Sequence, residues 1–222
     1  MNAISEQLSY AHNFIAAKKI GHPLTLLLLH GTGGDEFDMI PLGRRLESAA
    51  NILSPRGNVL ENGLPRFFKR SSEGVFDKED IKKRTQELAE FTEKASTTYN
   101  FDLDKIVAVG FSNGANIAAS LLLFFPRLLA GAMLFRPMLP IMPETEPNLS
   151  KIPVLILAGL YDTTVPKYQP KRLSDLLCKA GANASLRWQE AGHTITEKEI
   201  DQAREWLQRF KAGIMSSSEN SI

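Results

Sequence analysis

Three short segments of this chain carry the residue types that acyl transfer needs. They are Ser112 in Gly110-Phe111-Ser112-Asn113-Gly114, Asp162 in Leu160-Tyr161-Asp162-Thr163-Thr164, and His193 in Ala191-Gly192-His193-Thr194. A serine hydroxyl is a weak nucleophile until an adjacent base takes its proton, and an imidazole does this only when a third group holds it in the right tautomer. The pattern around Ser112 has the spacing of a sharp strand–turn–helix junction, in which flanking glycines keep side chains off the neighbouring backbone. Such a junction also sets the serine at a helix N-terminus, where partial positive charge favours a developing oxyanion. A glycine-rich turn with an incidental serine would share the pentapeptide, and an isolated Asp or His is most often a surface group. The three motifs together, each following its own apolar run, carry the argument.

A second glycine-rich segment, His30-Gly31-Thr32-Gly33-Gly34, follows the apolar run Leu24–Leu29. Backbone N–H groups there and after the serine can hold an oxyanion, so the amides of Thr32 and Asn113 are the expected donors. No Gly-Lys-Ser/Thr follows the glycines, and G-x-G-x-x-G is not matched, which argues against a phosphate loop. His12, His22, His30 and His193 show no metal-ligand spacing, and His30 is expected to be structural. Cys178 falls in the apolar register of a helix and is expected in the core. No metal or organic cofactor is implied. Phe37, Phe67, Phe68 and Phe111 are the candidates for lining a substrate pocket.

The elements that must position these groups follow from the hydrophobic pattern. Strands are expected at Leu24–Leu29, Asn51–Ser54, Lys105–Val109, Ala130–Phe135, Val154–Ala158 and Ala184–Trp188. Continuous runs such as Leu26-Leu27-Leu28-Leu29 suit strands covered on both faces, and their alternation with helical patterns predicts a mostly parallel sheet between helices. Helices are expected at Met39–Ala49, from Glu79-Asp80 to about Thr97, at Ala115–Phe125, at Lys171–Ala180, and after the capping box Thr196-Glu197-Lys198-Glu199. Ser112, Asp162 and His193 then stand just beyond strand C-termini, where open parallel sheets place their ligands. Arg56–Lys78 has no strong periodicity but carries Phe67, Phe68 and Phe76, and is expected to be an ordered loop over the site.

Composition closes off other classes. The chain has 222 residues, 26 Lys+Arg against 25 Asp+Glu, and a formal net charge of +1, which points away from a nucleic-acid partner. One cysteine excludes a disulfide scaffold and suits a reducing compartment. The N-terminal residues lack the pattern of a signal peptide and no apolar run reaches membrane-spanning length, so a cytoplasmic protein is expected, without a membrane partner. One domain over 1–213 is predicted, with 214–222 as a disordered polar tail.

On these segments, together with Pro55-Arg56-Gly57-Asn58-Val59-Leu60-Glu61-Asn62-Gly63, the chain resembles the small bacterial carboxylesterase/phospholipase group of α/β-hydrolases, related to acyl-protein thioesterases. The resemblance runs from about Leu24 to Phe210 and is nearest to carboxylesterases associated with hydroquinone or catechol dioxygenases. It implies the α/β-hydrolase fold, with Ser112, Asp162 and His193 as the triad, in the chain order Ser, Asp, His of that fold. Dienelactone hydrolases, a related group, carry cysteine where Ser112 stands. The short, proline-punctuated connection Arg136–Lys151 leaves no room for a large cap domain.

The expected activity is hydrolysis of short-chain or aromatic carboxylic esters through an acyl-enzyme, by a protein that a homodimer would also suit. A thioesterase or lysophospholipase using the same triad remains open, as does a non-catalytic binding protein on a hydrolase scaffold.

Overall fold

Strands buried from both sides must send successive side chains into two different cores, and this alternation organises the molecule. The computed structural model describes residues 8–18, 23–72 and 75–219, the side chains of 214–219 excepted. The expected His22 and the N-terminal segment 1–7 lie outside the described residues. In chain order the elements are β1 (His12–Ile15), β2 (Thr25–Leu29), α1 (Ile40–Leu46), β3 (Asn51–Pro55), β4 (Val59–Glu61), β5 (Leu64–Arg66), β6 (Arg70–Ser72), β7 (Val75–Phe76) and α2 (Lys78–Tyr99). There follow β8 (Ile106–Phe111), α3 (Asn113–Phe124), β9 (Gly131–Phe135), β10 (Pro153–Gly159), α4 (Tyr168–Lys179), β11 (Asn183–Gln189) and α5 (Glu197–Glu219).

The main sheet has seven strands among the described residues, in the order β1-β3-β2-β8-β9-β10-β11. All its pairings are parallel except that of β1 with β3. Leu27, Leu29, Ala108, Leu134 and Ile156 enter one core with Ile81, Leu88 and Phe91 of α2, Leu121 of α3 and Leu173 of α4. Their neighbours Leu26, Leu28, Val107, Met133, Phe135 and Leu157 enter the other, against Leu46 of α1 and Ile200, Ala203 and Leu207 of α5. Helices thus cover both faces, as the α/β-hydrolase fold requires. The connection 136–152 is irregular and adds no cap.

The helix ends follow their sequence signals. Asp77 accepts from the amides of Glu79 (3.1 Å) and Asp80 (3.0 Å), and Asn100 ends α2 in the left-handed conformation. Thr196 and Glu199 form the capping box, the Thr196 amide donating to Glu199 Oε2 at 2.9 Å.

Three features differ from expectation. The antiparallel edge strand β1 has no periodic signal because all four of its residues are half-buried. The loop Arg56–Lys78 contains two small hairpins, β4–β5 and β6–β7. Cys178 is exposed rather than in the core, because α4 turns Leu173, Ser174 and Leu177 inward instead. In addition, the backbone of α5 is helical to Glu219, well into the segment expected as a tail, while 220–222 lie outside the described residues.

The junction that matters most is β8–α3. Ser112 holds φ 52°, ψ −114°, a conformation that L-residues avoid and that stores strain of about 1–3 kcal/mol. Its amide still donates to Phe135 O (2.8 Å), and its carbonyl accepts the first helical bond from Asn116 (3.0 Å). The turn is possible because helix and strands approach without side chains between them. A Cβ on Gly114 would stand 1.9 Å from Leu29 O, and one on Gly110 2.5 Å from Gly114 O. Gly114→Ala must therefore push α3 off β2; it should destabilise the fold by about 1–3 kcal/mol or more and misplace Ser112, a loss that thermal unfolding with parallel turnover assays would register.

Candidate active site

Ser112 follows β8, Asp162 follows β10 and His193 follows β11, so the three strand ends deliver all three groups to one edge of the sheet. His193 Nε2 lies 2.9 Å from Ser112 Oγ, and His193 Nδ1 lies 2.8 Å from Asp162 Oδ2. Because a carboxylate only accepts, Nδ1 carries the proton and Nε2 is left to accept from the serine hydroxyl. Asp162 is pinned in turn, its Oδ1 accepting from the amides of Thr164 (2.8 Å) and Val165 (2.9 Å). The Asp162 side chain is 1% exposed and that of His193 is 23% exposed, so the carboxylate is shielded while the imidazole keeps an open side. Phe111 packs against the His193 ring at 5.2 Å between centroids.

Thr32 and Asn113 line the same cavity as Ser112. Asn113 begins α3, where the first amides have no intrahelical acceptor. Its side chain fastens the hairpin segment, Oδ1 accepting from the Phe67 amide at 2.8 Å. The Thr32 turn is fastened to the same segment, by Gly33 N to Pro65 O (2.9 Å) and by Arg66 Nη1 to Thr32 Oγ1 (2.6 Å). His30 anchors the turn from below. Its Nε2 accepts from the Gly57 amide at 2.9 Å and its Nδ1 donates to Gly31 O at 2.6 Å, which makes it the structural residue expected. Burial lowers the pKa of His30 below the ordinary imidazole value, and the neutral form is the one these two bonds require.

The aromatic pocket expectation needs correcting. Phe67 and Phe68 are fully buried in the core against α2 and α3, Phe37 is 58% exposed on an outer turn, and Phe111 backs the His193 ring. None of the four lines the cavity at Ser112, whose apolar wall is Phe76, Met138 and Val165. The cavity measures about 80 Å³, small beside the roughly 150 Å³ of one that admits benzene.

Two residues that sequence reasoning missed hold the histidine in place. Arg136, just past β9, has φ 56° and a fully buried side chain. It donates through Nε to Gly192 O (2.8 Å), through Nη1 to Leu157 O (3.1 Å) and Glu199, and through Nη2 to Thr194 O and to Glu199 Oε2 (2.9 Å). All five guanidinium hydrogens are used, and two of the acceptors flank His193 on either side. Glu199 is legible as a capping-box residue; its second duty as the counter-ion of Arg136 leaves no mark in local sequence.

Residues 10–211 match the phospholipase/carboxylesterase family. The chain belongs to that family. A curated member of similar sequence, MhqD of Bacillus subtilis (strain 168), is 51% identical over 181 residues, covering 82% of this chain and 90% of that protein. Among solved structures, a Bacillus cereus carboxylesterase superposes with a TM-score of 0.89 at 45% identity, over 93% of this chain and 97% of its own. YahD, solved with malic acid, gives 0.85 at 28% identity, covering 90% and 99%. This phospholipase/carboxylesterase family member is thus an esterase-type hydrolase of the α/β-hydrolase fold. Among the described residues no helix is long and apolar enough to cross a membrane.

Two measurements test this site. Glu199→Gln leaves Arg136 charged and buried without a counter-charge, so it should lower unfolding free energy by about 3–5 kcal/mol in urea titrations and lower turnover with it. The His30 contribution should be fully present above about pH 6.5 and fall away as pH drops, because below that value the unfolded chain binds the proton before the folded one does. His30→Gln should therefore be less stable at pH 8 yet lose less stability on acidification, as urea titrations across pH would measure.

Proposed function

We propose that this esterase is a serine carboxylesterase acting through a covalent acyl-enzyme, with Ser112 as nucleophile, His193 as general base and acid, and Asp162 as the group that orients the imidazole and stabilises its charged form. The observation that carries it is the hydrogen-bonded chain from Ser112 Oγ through both ring nitrogens of His193 to the buried Asp162.

In the acylation step His193 Nε2 takes the hydroxyl proton as Oγ attacks the ester carbonyl. The C=O electron pair moves onto oxygen, and the amides of Thr32 and Asn113 hold the resulting oxyanion. Collapse expels the alcohol, which receives the proton from His193. Water then attacks the acyl-enzyme by the same path in reverse, His193 taking its proton and returning it to Ser112 Oγ as the acid departs. Every proton lost by one partner is gained by another.

The small cavity favours a short acyl group or a compact substituent. Each further CH₂ gains about 0.8 kcal/mol only while protein covers it, and no cap extends that cover.

A fluorophosphonate probe should label wild-type protein at Ser112 and leave Ser112→Ala unlabelled. Ser112→Ala should fold normally and lose turnover of short esters on the order of 10³-fold or more. Asp162→Asn should also be severely slowed, since the amide favours the wrong histidine tautomer. Near wild-type turnover by Ser112→Ala would remove the serine mechanism.

A further inference from the structure

Among the described residues, the cavity beside Ser112 is lined by three arginines, Arg66, Arg70 and Arg136, and by no acidic side chain. Arg136 is fully occupied by its five acceptors, so it has nothing left for a ligand. Arg66 is the opposite case. It is 4% exposed, yet only its Nε bond to Phe68 O (3.2 Å) and its Nη1 bond to Thr32 Oγ1 (2.6 Å) are made. Both hydrogens of Nη2 and one of Nη1 have no acceptor among the described residues.

Its counter-charge is also shared. Glu61 stands 3.2 Å from Arg66 Nε through Oε2, but that oxygen accepts no hydrogen bond, since the Nε hydrogen is directed to Phe68 O. The other oxygen, Oε1, is bonded to Arg70 Nε. Two guanidinium groups therefore face the cavity with one carboxylate between them. Desolvation pushes the Arg66 pKa down and Arg70 pushes the same way, against the pull of Glu61, which is what a buried cation short of anionic partners experiences. Close by, Asn113 Nδ2 is buried without an acceptor. An excess of unused donors, with no acidic group among the described lining residues, is the chemistry of a carboxylate subsite, and Arg forks match carboxylates two bonds at a time.

We propose that Arg66 and Arg70 select ester substrates that carry a carboxylate close to the scissile carbonyl, such as half-esters of short dicarboxylic acids. This rests on the ester-hydrolase reading above and adds the substrate class. The cavity volume limits the spacer to a few atoms, and the anion supplies the charge that Glu61 divides between two arginines. The products are then an alcohol and a small dicarboxylate, and the selectivity lies in binding rather than in the acyl-transfer steps.

The test compares kcat/KM for monoethyl succinate with that for ethyl 4-oxopentanoate, its neutral isostere of similar shape. Wild type should favour the anionic ester on the order of ten- to a hundredfold, the range of charge-assisted hydrogen bonds. The preference should shrink in Arg70→Gln and Arg66→Gln, grow in Glu61→Gln, and weaken in high salt. Equal kcat/KM for the two esters in wild type, or a preference untouched by all three variants, overturns the proposal while leaving the esterase intact. If neither ester turns over, succinate binding to Ser112→Ala decides. A thermal shift that Arg70→Gln abolishes supports the subsite, and no shift overturns it. Absence of fluorophosphonate labelling would separately overturn the serine mechanism.

Discussion

The buried pair of Arg136 and Glu199 is the constraint on which the geometry of the sheet edge carrying Ser112, Asp162 and His193 depends. Removing two charges from water is costly, and attraction between them offsets that cost only when every remaining donor and acceptor is matched. Here the matching is complete on the arginine: five hydrogens meet five acceptors, drawn from the end of β10, both sides of His193 and the first turn of α5. A partial set would leave an unpaired buried charge, so the arrangement is close to all-or-none. The same condition fixes the loop that carries His193, whose flanking carbonyls cannot move without unpairing the guanidinium. Precision at the imidazole is thus obtained from electrostatics in the second layer, where solvent does not screen it.

The strained serine turn and the histidine loop reach the same edge by different means. At the turn the cause is steric, since Gly110 and Gly114 let α3 sit against strand backbone and leave Ser112 at positive φ. At the loop the cause is hydrogen bonding around a charge. The Thr32 turn is held by a third device, a neutral imidazole at His30 bridging Gly31 and Gly57.

Much of this could be read from the chain because the signals are local. The six apolar runs became β2, β3 and β8 to β11, and the helices fell near their expected positions because caps, prolines and periodic apolar faces lie within a few residues of the ends they define. The positions of Ser112, Asp162 and His193 followed from motif and strand order. What was missed depends on partners distant in sequence. Phe67 and Phe68 looked like pocket residues from their place in a loop, yet they turn into the core just after β5, while Arg66 of β5 and Phe76 of β7 face the cavity. Arg136 and Glu199 are separated by two strands and a helix, and neither carries a signal pointing to the other. Cys178 lies at the margin of the apolar face of α4, where a heptad-style count cannot separate inside from outside.

The dual duty of Glu199 also bears on the order in which the chain can mature. Residues up to β9 contain the serine turn and the Phe135 carbonyl that its amide meets, but Arg136, just past β9, is 63 residues from its counter-ion. Its counter-ion arrives only with the first turn of α5, after β10 and β11 have joined the sheet. In chain order Ser112 therefore precedes His193, and the carbonyls on either side of His193 are fastened to an arginine whose counter-charge belongs to one of the last elements. A chain ending before Glu199 would keep Ser112, Asp162 and His193 but leave the buried Arg136 without its counter-charge, so the placement of His193 waits on one of the last elements of the chain.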